Sequence, residues 1–205
     1  SGDLTAATAL TTAAEAYNVS IAGSTNSIAG DTIFANTGTI TIGDGAGDST
    51  TFAGGLDTTV VGGTKTLSGS VITTDTQMDL GAVTLGAAVI LDTGTAATSI
   101  MNVGAVTSGA NALTLDSGAD ASALITVDSF AGGGDLTVTD SGAATFTNAV
   151  SAGTVTLTDT TGTITFSGDL TAATALTTAA EAYNVSIAGS TNSIAGDTIF
   201  ANTGT

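Results

Sequence analysis

Polar and apolar residues alternate in short runs along this chain. Seven runs carry the pattern most clearly: NVSIAGS from Asn18, TITIGDG from Thr39, TKTLSGS from Thr64, AVTLGAA from Ala82, ALTLDSG from Ala112, DLTVTDSG from Asp135 and TVTLTDTTG from Thr154. Each breaks at Gly, Asp, Asn or Ser. Period two marks a strand, because successive side chains point to opposite faces, and the breaking residues are those that bend the backbone or bond it locally. A second marker is a Phe followed by small residues, at Phe34, Phe52, Phe130, Phe146 and Phe166. One stretch is ambiguous. Within residues 5–17, Leu10, Ala13, Ala14 and Tyr17 have helical spacing, yet the same residues read as an Ala/Thr strand or an irregular bulge, which their surroundings favour.

The pattern recurs on a larger scale. Residues 1–39 and 167–205 are identical at every position, so that Ser1 recurs as Ser167 and Thr39 as Thr205. Residues 1–166 are therefore expected to be one full tandem unit and 167–205 the start of the next, the chain being a processed form or a window on a longer array. Within the unit the strand runs return about every 20 residues, which predicts about eight subrepeats.

Two architectures accommodate such a series. A row of Ig-like β-sandwiches would bury large residues between two sheets, usually with a Trp. A parallel β-solenoid would coil once per subrepeat and stack each turn on the last. The chain has no Trp, 4% aromatic residues, no Pro and 28 Gly. Absence of Pro leaves every backbone N–H available to a ladder. The expectation is an all-β protein, a parallel β-solenoid (β-helix) with about eight coils per 166-residue repeat and no separate domains, its narrow interior filled by Ala, Val, Ile, Thr and Gly. Tandem Ig-like sandwiches are the alternative.

Charge and absences narrow the chemistry. Eighteen acids face one base, Lys65, for a net charge of −17. Such a chain repels nucleic acid and anionic lipid. With no His or Cys it has no imidazole base and none of the usual zinc, copper or iron ligand sets. No run approaches the roughly 18 apolar residues of a membrane-spanning helix. An enzyme is not expected, since a polysaccharide-cleaving groove would need Arg or Lys beside its acids.

The acidic turns are the candidate sites. GDGAGD places Asp44 and Asp48 in a Gly-rich loop, DSGAD places Asp116 and Asp120 likewise, and Asp75 and Asp79 share the spacing. Ca²⁺ takes several oxygen ligands on tight turns of this kind. The simpler reading is that Asp bonds nearby backbone in turns and keeps the surface wet. Lys65 reads as a solvated lysine rather than an isopeptide donor. Glu15 with Tyr17, and the Asn18-Val19-Ser20 glycosylation pattern, read as structural and coincidental. The Phe residues read as interior plugs.

Runs such as TVTLTDTTGTITFSGDLTAAT and ALTLDSGADASALITV resemble giant bacterial β-strand-repeat surface proteins, among them filamentous-haemagglutinin-like and autotransporter-like adhesins. The likeness is one of texture along the whole chain and carries over no functional residue. It implies export to the cell surface and an extended rod of adhesive or scaffold duty. The expected function is a structural, protease-resistant component of an extracellular filament or stalk whose partners are neighbouring copies of its own repeat. The alternative is an adhesin that grips glycan, mineral or another cell through a lateral face, with Ca²⁺ as the one cofactor to consider.

Overall fold

Residues 2–204 are described by a computed structural model. They contain 21 strands and no helix, and every strand pairing is parallel, between one turn of a coil and the next. The coil has three faces. The first begins at Thr5–Ala6, passes through Thr25–Ile28 and Ser49–Phe52, and continues through 70–73, 89–92, Leu113–Asp116, Leu136–Asp140, 154–157 and 175–178 to Thr198–Ile199. The second begins where Thr11 bridges to Ile33. It runs through Leu56–Asp57, Met78–Leu80, 101–103, 124–127, Ala143–Phe146 and Thr163–Phe166 to Asn184–Ile187. The third runs from Val19–Ile21 through Ile40–Ile42, 65–67, 83–85, 105–107, 129–131, 150–152 and 170–172 to Ser193–Ile194. The parallel β-solenoid is therefore the fold, with about nine turns in the described chain. Turns differ in length: the one from Thr66 to Thr84 is short, and the one from Ile40 to Lys65 is long.

The alternation explains the wall. In Ile40–Ile42, Leu113–Asp116 and Thr163–Phe166 the apolar members are buried and the threonines between them face outward. In-register pairing then stacks like on like, Leu91 beside Leu115 and Leu115 beside Val138. The rings of Phe146 and Phe166 lie parallel, centroids 4.9 Å apart and planes 8° apart. The interior is larger-grained than expected. Leu, Ile, Val, two Met and five fully buried Phe fill it, with Ala a minority. Gly serves the corners instead. Gly43 and Gly69 have φ of 72° and 73°, and a Cβ on either would stand within 2.2 Å of the carbonyl oxygen of Ser68 or Asp48. Only Gly takes that conformation and that closeness without strain.

Buried hydroxyls close the corner between the first and second faces. Thr93 and Ser117 donate to the carbonyls of Ser99 and Ala123 at 3.0 and 2.8 Å, and Ser141 donates to Thr160 Oγ1 at 2.9 Å. Each satisfies a backbone or side-chain acceptor that would otherwise be orphaned away from water.

The two identical stretches fold alike. Thr5 pairs with Ser27, and Thr171 with Ser193; Thr11 meets Ile33, and Thr177 meets Ile199. Leu4 and Leu170 both donate their N–H to an Asn carbonyl oxygen at 2.9 Å, that of Asn26 and of Asn192. Thr12 and Thr178 each accept the next turn's backbone N–H at 2.7 Å, from Ala35 and Ala201. Residues 5–17 are accordingly strand and bend, and in their copy, 171–183, the strand Leu170–Thr178 runs unbroken up to the bend once a full turn lies beside it.

Candidate functional site

The acidic residues singled out in the sequence mostly serve their own turns. Asp48 Oδ2 accepts the N–H groups of Asp44 and Gly45 at 2.8 and 2.9 Å, and these bonds hold its carboxyl below the usual range. Asp120 Oδ1 accepts Ser122 N–H at 2.8 Å, and Asp116 Oδ1 accepts Gly118 N–H at 3.1 Å. Asp75, with a φ of 55°, accepts Thr95 N–H from the next turn at 2.8 Å. Asp79 is held by the amides of Gln77 and Asn102, each at 2.8 Å. No three acidic side chains among the described residues converge as a metal-ligand set.

The notable acidic feature is one that loop spacing does not reveal. On the first face Asp92 pairs in register with Asp116, and Asp116 with Asp140 across a bulge that leaves Thr139 extra. Adjacent rungs of a sheet lie about 4.8 Å apart, so the three carboxylates form a ladder. Burial, then the charges of Asp92 and Asp140, pushes the Asp116 carboxyl up. Burial and the nearby Asp159 do the same to Asp140, whose Oδ1 is buried with no hydrogen-bond partner. A recurrent Asp-Ser/Thr-Gly at residues 92–94, 116–118 and 140–142 was the available sequence signal.

Lys65 is not solvated as the sequence suggested. Its strand starts at an inward position beside Ile40, leaving the residue 6% exposed, and burial pulls its ammonium below the usual lysine range while Asp57 opposes the shift. It borders a shallow groove of about 510 Å³ lined by small residues that include Gly62, Gly63, Ala82 and Ala105. Tyr17 and Tyr183 are structural. Each phenolic oxygen accepts an N–H four residues back, from Ala13 and Ala179, and Tyr183 also donates to the carbonyl of Leu157 in the preceding turn. Asn18 spends its side-chain oxygen on Thr39 N–H at 2.9 Å.

The ends of the coil differ from its walls. Tyr17 is 39% exposed, but its copy Tyr183 is 1% exposed, because residues 145–166 form the turn in front of it. Phe34 is fully buried under the following turn, where Phe52 meets its ring edge-on at 6.2 Å; its copy Phe200, at the other end, is 55% exposed. The same two side chains are thus buried wherever a neighbouring turn covers them.

No family model, curated protein or solved structure matches the chain. The fold is compatible with β-helix repeat proteins.

Proposed function

We propose that this chain is a section of a long structural rod, an extracellular or cell-surface filament or stalk in which β-solenoid units continue end to end. The observation that carries the reading is that the repeated stretch takes up the coil again without a break: Thr171 pairs with Ser193 as Thr5 does with Ser27, and Thr177 with Ile199 as Thr11 does with Ile33. Stacking coils bury apolar faces that no isolated coil can hide, so nearest-neighbour contact is the source of stability. Backbone hydrogen bonds running along the axis then resist extension. The role is mechanical rather than catalytic, and the partner is a second copy of the unit, in the same chain or another.

Electron microscopy of chains carrying increasing numbers of units tests this. Thin rods that lengthen by about 37 Å per unit, the advance of some seven to eight rungs, are expected. A string of separate globules overturns it.

A lateral adhesive role has one observation in its favour. Outward threonines form ladders: Thr41, Thr66, Thr84 and Thr107 on the third face, and Thr114, Thr137, Thr156 and Thr177 on the first. A regular hydroxyl row can meet a glycan or mineral lattice. A glycan array and a crystal-growth assay, each run with and without calcium, test it, and silence in both dismisses it.

A further inference from the structure

The repeating unit does not close on a whole number of turns. From Thr5, successive visits to the first face fall at Ser27, Thr51, Ile72, Asp92, Asp116, Asp140 and, seven turns on, the 154–157 strand. The chain then crosses the second face at Thr163–Phe166 and reaches Thr171, the copy of Thr5, on the third. The unit spans seven and two-thirds turns. The other columns agree. Ser20 stands on the third face, in the column of Thr41, and its copy Ser186 on the second, paired with Thr165. Thr11 stands on the second face and its copy Thr177 on the first, paired with Thr156. All three faces exchange places in cyclic order. Local bonding is nevertheless preserved between the copies, so the exchange is a count of faces and not a distortion of one element.

The sequence spacing carries the same count. The strand runs that begin at Asn18, Thr39, Thr64 and Ala82 lie on the third face, and those that begin at Ala112, Asp135 and Thr154 on the first. The step from Ala82 to Ala112 is longer than the long turn from Ile40 to Lys65, because it covers one turn and one extra face. The step from Thr154 to Asn184, into the second copy, is equally long and lands on the second face. Two such steps and five single turns make up the unit.

Resting on the rod reading above, we infer that each further copy of the unit continues the coil turned by one face, as residues 167–205 do, so that successive units are related by a threefold screw. Three units then complete a whole number of turns, with an axial repeat of about 110 Å. The relation is counted in faces, so a twist of the sheets turns the corners themselves without changing which corner a feature occupies. The surface consequence is specific. The Asp44–Asp48 loop sits at the corner between the third face (Ile40–Ile42) and the first (Ser49–Phe52). In the next unit it stands between the second and third faces, and in the one after that between the first and second. Any lateral feature is thereby dealt round the rod rather than along one side, and a ligand it bound would be displayed in all directions.

The chain has no cysteine, so one label per unit is simple to place. Ala46 is exposed in this loop and the adjacent Gly47 has open space around it, so Ala46→Cys in every unit of a four-unit chain disturbs no packing. Maleimide-linked gold clusters are then located by cryo-electron microscopy against the rungs of the same rods, about 4.8 Å apart. The expected result is a mark that moves from corner to corner and returns to its first corner after three units. Marks above one corner in every unit overturn the screw while leaving the rod intact. Absence of continuous rods overturns the rod reading and the screw with it. The unlabelled four-unit chain gives a second measurement, since its map shows directly whether copies of Ser20 share a strand column.

Discussion

Asp116→Asn provides a sharp test of the acidic ladder. Asp116 has a carboxylate neighbour on each side, Asp92 and Asp140, in the register of paired strands. At a rung spacing of about 4.8 Å, two unit charges repel by about 0.9 kcal/mol in water, and more where the surroundings are less polar. With two neighbours and partial exposure, Asp116→Asn is expected to stabilise the fold by about 1–2 kcal/mol at pH 7. The substitution keeps an oxygen to accept the Gly118 N–H, so the turn survives. The sign with pH follows from the direction of the shift. The carboxyl of Asp116 is raised in the fold, so its contribution is fully present below its unfolded value and is lost as pH rises through the folded one. The variant should therefore gain over the parent at neutral pH and lose that gain by about pH 3.5, near the intrinsic value of the side chain. Urea unfolding followed by circular dichroism across that range measures it. A variant less stable than the parent at pH 7, or a difference that ignores pH, refutes the ladder.

The remaining predictions are local. Asp48→Ala should lower the melting midpoint at pH 7. Because the Asp48 carboxyl is held low in the fold, its contribution is present above the unfolded value and lost as pH falls through the folded one, so the difference should vanish in strong acid. Thr58 is buried with a hydroxyl that has no partner, and Thr58→Val should raise stability by about 1 kcal/mol in the same urea assay. Phe146→Ala removes one of two stacked rings from the interior and should destabilise by about 3–5 kcal/mol, read as a shifted unfolding midpoint. Trypsin has one target in the chain, the bond after Lys65, which lies in a strand with its side chain 6% exposed. The native protein should stay uncut on a gel through an incubation that cleaves the urea-unfolded chain.

The walls of the coil were legible because alternation is a local signal. Each I-T-I or L-T-L run states which side chains go inward, and the structure buries them as written. Asp-Ser-Gly breaks likewise marked real corners. What the sequence hid was everything that depends on which turn lies next to which. Loop spacing paired Asp116 with Asp120, whereas the in-register neighbours of Asp116 lie a full turn away on either side, at Asp92 and Asp140. No fixed period locates such neighbours, since the turn from Thr66 to Thr84 is much shorter than the turn from Ile40 to Lys65. Lys65 was misread although the alternation puts it on the same face as Leu67, because a charged side chain is expected at the surface unless paired. The interior was judged too finely grained because Phe is scarce in composition, yet five of the six Phe lie in the core, where a few rings fill much volume.

Because the duplicated stretch makes the same bonds wherever it falls on the coil, recombination between one copy and the other would add or remove a whole unit without leaving a broken rung. Each such change would lengthen or shorten the coil by one fixed step while its cross-section, and the way it is held together, stayed as they were.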